Sequence, residues 1–561
     1  MLRREFLRGL AIALANGICP ARAAPVGAER GDPYAAAPFG QIRLLHITDC
    51  HGQLLTGHHR EAEFNLGVGR EATRPPHLTG EELLRHFGIR CDDRAAYTLT
   101  HLNFSNAARR FCKTGGFAHL ATLIHALRAE QPHSLLLDGG DSWQGSACAL
   151  WNEGRDMIAA SKLLGVQAMT GHWEFTYGAD RVLRAVAEEL SPQCEFLGQN
   201  VSTADFGDPV FKPYVLRELN GVLVAVIGQC FPYIPIAHPR HFVPDWRFGI
   251  EEAGLQRHID AVRGQGAQLV VLLSHNGTDA DLKLASRLRD LDVILGGHSH
   301  EPLPQPILVA GRSGKTLVTN AGSNGKFVGV LDLQLRGQVT DFRYRLLPVL
   351  SELLPADAAM ASLIAAYHEP HQTRLDQTLA LSEGLLYRRG TFGGSWDRLI
   401  IDALLATLDA EIALTPGFRW GTSILPGDPI RFADVMNSAA ITYPQCVVIE
   451  LSSREIKNML EDIADNLFNP DPYYRQGGDM ARCGGLSFTC RPNAPMHGRI
   501  DDLRVRGRPI DPTRRYKVAR WAPLNEDARG EPLLDVLARY LRERKSIPPL
   551  QPNWPAIDLA P

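Results

Sequence analysis

The sequence predicts an α/β protein of two domains, and three observations carry the prediction. Its 561 residues exceed one ordinary domain, so two hydrophobic cores are expected. From about Gln41 to Phe342, apolar runs of strand length alternate with helical stretches, and each run ends in polar residues able to hold a metal. Beyond a helical stretch, the glycine-rich "RRGTFGGSWDRL" opens a second unit of mixed strand and helix pattern.

The N-terminus, "MLRREFLRGLAIALANGICPARAAP", has a basic start, a short apolar run and small residues at Ala21-Arg22-Ala23. This predicts a signal peptide over residues 1–24. Its "RREFL" matches the twin-arginine pattern, which exports proteins already folded, so the mature protein is expected in the periplasm. No later apolar run approaches the roughly 20 residues that span a bilayer.

The first unit, residues 38–345, repeats its theme in order: "IRLLHITDCHGQ", "SLLLDGGDSWQG", "GVQAMTGHWEF", "LVVLLSHNGT" and "DVILGGHSHEP". Helical stretches such as "HLATLIHALRAEQ" and "ADLKLASRLRDL" lie between them. Ligands of α/β sheets gather beyond the strand ends, so the polar clusters can converge on one edge. A polar, turn-rich stretch from about Leu54 to Lys113 interrupts this rhythm; loops of that length are usually functional or disordered. Within it His58 and His59 are expected to be solvated. Residues 346–385 read as a helical linker, and 386–561 as the C-terminal domain.

Lys and Arg total 59 against 62 acids, a net charge of -3, so no basic excess recruits nucleic acid. Ten cysteines include no CxxC pair, and nine remain once Cys19 is removed. Neither a disulfide framework nor a thiolate zinc site is indicated. Cys483 and Cys490 are close enough in sequence to pair in an oxidising compartment, but free buried thiols are expected.

Asp49 and His51 are one residue apart just after a strand, as are His298 and His300; Asp141, His172 and His275 follow three other strands. These carboxylates and imidazoles, with no thiolate, suit manganese, iron or zinc rather than calcium. The donors are too many for one catalytic ion that keeps an open position, so two ions sharing a carboxylate is the economical arrangement. Asp138 and Asp397 are left outside the ligand set. Cys50 should point away from the metals and is not expected to be a nucleophile.

The ordered series DxHG, GGD, GHWEF, SHNG and GGHSH resembles the calcineurin-like metallophosphoesterase domain, and with the C-terminal unit the chain looks like the two-domain nucleotidases. The resemblance implies an N-terminal β-sandwich flanked by helices, a helical linker and a C-terminal α+β domain. It also implies one metal at Asp49, His51, Asp141 and His300, and another at Asp141, His172, His275 and His298, bridged by Asp141.

The nucleotidases carry GNHEFD where this chain has Gly171-His172-Trp173-Glu174-Phe175-Thr176. His172 can replace their ligating asparagine, but Trp173 and Thr176 replace their histidine and aspartate, the pair that assists the transition state. A basic alkoxide leaving group suffers from that loss. Thiols ionise near about pH 8.5 and persulfides are more acidic, so a sulfur leaving group can depart without a proton donor.

One branch has this signature. The stretches "MTGHWEFTYG", "PPHLTGEELLRHFGI", "GGFAHLATLI", "NAGSNGKFVGVLDL", "GTFGGSWDRLI" and "YYRQGGDMARCGGL" resemble the SoxB thiosulfohydrolases of bacterial thiosulfate oxidation. The resemblance implies two manganese ions, the donors also admitting zinc or iron, and a SoxYZ carrier whose cysteine bears the substrate on a flexible arm. The implied reaction releases sulfate from the carrier's S-thiosulfonate and leaves a persulfide. The expected protein is a monomer.

Arg419 in "TPGFRWG" falls where the superfamily supplies substrate-binding arginines, and a cation there would meet the charge building on the sulfonate oxygens. Trp173 either fills core space or shapes the pocket beside the leaving sulfur. Gly477, Gly478, Asp479 and Met480 form either an ordinary turn or a close-approach segment for the carrier arm. Two further readings stay open: a periplasmic nucleotidase or phosphodiesterase, and a non-catalytic carrier-binding protein with a structural metal.

Overall fold

The computed structural model describes residues 34, 35 and 37–560. The expected signal peptide, residues 1–24, lies outside them. Two six-stranded sheets organise the N-terminal domain. The first runs, in spatial order, through Val339–Pro348, Phe327–Leu335, Ile42–Ile47, Ser134–Asp138, Ala168–Met169 and Glu195–Phe196. The second runs through Ile307–Ala310, Lys315–Asn320, Val293–Gly296, Leu269–Ser274, Val222–Gln229 and Tyr214–Leu219.

Alternation along the strands explains why the sheets stack. Ile42 and Leu44 face inward and meet Leu135, Leu137, Val224, Val226, Val271, Leu273 and Val293 in the core of the sandwich. Leu45 and Ile47 face the other way, onto helices Phe117–Glu130, Arg155–Leu164 and Ala358–His368. Ala225, Ile227, Val270 and Leu272 do the same on the second sheet, beneath helices Glu252–Gly264 and Thr278–Arg287. Strands covered on both faces read as continuous apolar runs, which is why "LVVLLS" shows no polar alternation.

Strands Ile42–Ile47, Ser134–Asp138 and Ala168–Met169 pair in parallel, as do Leu269–Ser274 and Val293–Gly296. Their C-terminal ends open on one edge of the sandwich. The metal-competent residues of all five polar clusters gather there.

Residues 346–385 are helical over Ala358–His368 and Gln372–Leu375, between the end of strand Val339–Pro348 and strand Thr378–Ser382. That last strand pairs with Pro429–Arg431 and Ser546–Ile547 of the C-terminal domain. The central sheet there runs Cys446–Ser452, Arg515–Trp521, Ile412–Gly417, Asp479–Gly484. Helices Ser395–Thr407 and Leu533–Arg544 cover one face and Ser453–Phe468 the other. No helix among the described residues is long and apolar enough to cross a membrane.

The polar insertion folds into helices Gly80–Phe87, Arg94–Leu99 and Phe104–Phe111. His59 is buried there, not solvated, and burial lowers its pKa to about 3; His58 is half-buried. The cause is a strap between the domains, in which Lys326 and Arg389 both pair with Glu61 and enclose the His59 segment. Cys483 and Cys490 are buried and free, as expected.

Candidate metal centre

Seven side chains converge at the open strand edge in two groups, Asp49–His51–Asp141–His300 and Asp141–His172–His275–His298, with the donor atoms of each group within 4.8 Å of one another. All seven are buried. Five of them, Asp49, His51, Asp141, His298 and His300, have φ between 45° and 71°, a conformation that non-glycine residues rarely adopt. Such backbone persists where surrounding contacts over-determine it.

Glu174 supplies many of those contacts. Its carboxylate accepts the N–H groups of Ser142 and His172, each at 2.7 Å, and of Asp141 at 3.3 Å, tying two ligand loops together. Asp49 is fixed by the Thr48 hydroxyl at 2.6 Å and the His298 N–H at 3.0 Å.

Asp141 stands where the two groups meet. Its Oδ2 lies 3.0 Å from His172 Nδ1, 3.2 Å from His275 Nε2 and 3.6 Å from His51 Nε2. Its Oδ1 accepts the Trp173 N–H at 2.8 Å. Burial pushes the Asp141 carboxyl up, but His172, His275 and His51 outweigh it and hold the pKa well below the usual range. Burial lowers His172, and burial together with the nearby Arg419 charge holds His298 and His300 well below the usual imidazole value. Burial pulls His275 down, but Asp141 and Asp49 outweigh it and raise it to about 9, so a metal would displace its proton, while the other imidazoles already offer neutral lone pairs.

The donor set fits two ions. His51 Nε2 and His300 Nε2 face each other at 3.0 Å, and His298 Nδ1 is buried with no hydrogen-bond partner among the described residues. Lone pairs converging in a buried space call for a cation. A third group, Glu71, His77 and Asp279, differs because Arg475 already pairs with Glu71 at 2.7 Å and Asp279 at 2.5 Å.

A cleft opens over the centre, between the domains. Trp173, Phe418, Trp420 and Tyr443 line it, with Trp173 meeting Trp420 edge-on at 4.9 Å. Arg419 lines it too and donates from Nη2 to the His298 carbonyl at 2.5 Å. Gly477 approaches His298 so closely that a Cβ there would collide with Nε2, and Gly478 and Asp479 continue the rim. Met480, expected beside them, does not reach the cleft: strand alternation turns it into the fully buried core of the C-terminal domain. Asp138 and Asp397 lie outside both ligand groups. Cys50 is buried in the helix-facing core.

The profile of the family described as 5'-nucleotidase, C-terminal domain, matches residues 393–531. A 5'-nucleotidase of Diplobatis ommata is 29% identical over 54% of this chain and 48% of its own length, so the chain spans about half the length of that curated relative. The solved structure of the sulfate thiohydrolase SoxB from Thermus thermophilus, in complex with glycerol, superposes with a TM-score of 0.89 at 36% identity, covering 93% of this chain and 98% of that one. The chain belongs to the SoxB family. A 5'-nucleotidase precursor from Thermus thermophilus, at TM-score 0.73 and 21% identity, shares the fold with this SoxB-family chain over 93% of its length and 100% of its own.

His238 and Tyr443 are not legible in the sequence as site residues, since neither follows a strand-like run in a recognisable motif. Glu174 stands inside "GHWEF", but nothing in the sequence reveals that its carboxylate joins the ligand loops.

Proposed function

We propose that the protein is a periplasmic metal-dependent hydrolase, a thiosulfohydrolase that removes sulfate from a thiosulfonate carried on a SoxYZ-type cysteine. The observation that carries this reading is Trp173 beside an otherwise full set of metal ligands. Its ring packs among Trp420, His238 and Phe418, and the Thr176 hydroxyl donates to the Trp173 carbonyl. His238 offers no free proton donor, because its two ring nitrogens meet His172 at 3.0 Å and Tyr443 at 3.1 Å.

When bound, two divalent ions supply Lewis-acid polarisation and lower the pKa of water. Asp49, His51, Asp141, His172, His275, His298 and His300 would hold them; manganese is the proposed metal. Arg419 places its guanidinium at the cleft wall, where it can meet charge on the sulfonate oxygens. The aromatic wall excludes water beside the leaving sulfur and offers it favourable contacts. The oxygen of water bonds to the sulfonate sulfur as the bond from that sulfur to its neighbouring sulfur breaks; the electron pair leaves with the persulfide anion, and the protons of the water pass to solvent.

Mass analysis of thiosulfonate-loaded carrier tests the reading. Loss of the sulfonate with one sulfur kept on the cysteine is expected. Carrier that stays intact with metal-loaded protein contradicts it.

A further inference from the structure

His172 and His298 share a feature that His51 and His300 lack. Each turns Nδ1 toward the metal position and has its other ring nitrogen held from outside. His172 Nε2 lies 3.0 Å from His238 Nε2, and His238 Nδ1 lies 3.1 Å from the Tyr443 hydroxyl. His298 Nε2 lies 2.9 Å from the carbonyl of Gln476. Tyr443 and Gln476 belong to the C-terminal domain. The loop that carries His238 has a second tie to that domain, from the Tyr233 hydroxyl to the Tyr473 carbonyl.

The other ligand group is different. The Nδ1 atoms of His51 and His300 have no hydrogen-bond partner among the described residues. Trp420 stacks on the His51 ring at 5.3 Å and Arg389 donates to the His300 carbonyl at 3.0 Å, but neither contact fixes a tautomer. His275, the third imidazole of the group that holds His172 and His298, is held by the Gly139 carbonyl at 2.6 Å, within the N-terminal domain.

Outer partners fix the tautomer and ring orientation of a ligating histidine, and removing them typically costs about 10–100-fold in metal affinity. We propose that the C-terminal domain completes the Asp141–His172–His275–His298 position through the Tyr443–His238 relay and the Gln476 carbonyl. Ion affinity there depends on the ring-nitrogen contacts that the seated domain supplies, contacts that the Nδ1 atoms of His51 and His300 lack. Tyr443 and His238 are positioning residues in this account. By linkage, an ion at that position favours the seated domain in return.

The test is Mn2+ binding, read from the free-ion electron paramagnetic resonance signal of the full chain. In a His51→Ala background, which leaves the Asp141–His172–His275–His298 ligands complete, Tyr443→Phe should weaken binding about tenfold or more. In a His275→Ala background, Tyr443→Phe should change nothing. His238→Ala should repeat the Tyr443→Phe result, and His238→Gln, whose amide oxygen can accept from His172, should recover part of it. Gly477→Ala, which drives a Cβ onto His298, is an independent probe in otherwise unaltered protein and should weaken one of two ions. An unchanged affinity, equal weakening in both backgrounds, or weakening only in the His275→Ala background overturns the proposal.

Discussion

His172 presents Nδ1 to Asp141 Oδ2 at 3.0 Å, while the backbone N–H of its neighbour Trp173 donates to Oδ1 of the same carboxylate at 2.8 Å. One dipeptide therefore both supplies a ligand and aligns the carboxylate that the two ligand groups share. The Trp173 side chain is free to differ from the nucleotidase histidine because its backbone does the aligning.

Asp141→Asn keeps an acceptor for the Trp173 N–H but removes the charge between the ligand groups. We expect both ions to bind more weakly and sulfate release to fall by at least about 10²-fold. Metal content after gel filtration, measured with the rate, checks this.

Trp173→His with Thr176→Asp restores an acid and its orienting carboxylate. A positioned general acid is worth about 10²–10⁴-fold, so hydrolysis of a nucleoside monophosphate should rise while sulfate release does not. Removing the large buried indole should also lower stability, by about 3 kcal/mol. A phosphate-release assay beside a melting curve separates the two effects.

Arg419→Ala removes the guanidinium from the cleft wall. Losing one donor to developing charge costs about 10²–10³-fold, and we expect that loss in kcat/KM with both ions retained. Steady-state kinetics with metal analysis tests it.

Asp156 is no member of either ligand group; it is fully buried in helix Arg155–Leu164, and burial raises its pKa to about 7. A folded pKa above the unfolded value means that the native state holds the extra proton, so stability falls as pH rises from about 4 to about 7. Asp156→Asn should remove its share of that slope, leaving the shares of Asp138, Asp281 and Asp434, and make the variant more stable than wild type at pH 8. Denaturant melts at pH 4, 6 and 8 measure the slope.

The ligands are legible in the sequence because each follows an apolar run at the same edge, and buried strands leave a plain signature. His238, Tyr443 and Gln476 stay hidden because their roles depend on contacts between distant segments. Met480 departs from expectation because its glycine neighbours suggest a turn, while strand alternation decides its side. His59 departs from it because the insertion is polar in composition yet becomes buried by Lys326 and Arg389 on Glu61.

The most direct test of the account runs two assays on one metal-loaded preparation: sulfate release from thiosulfonate-loaded carrier, and phosphate release from a nucleoside monophosphate. Sulfate release that far outpaces phosphate release, and that disappears in His172→Ala, is predicted. Phosphate release with an inert carrier would contradict the account and show that Trp173 and Thr176 do not exclude phosphoester chemistry.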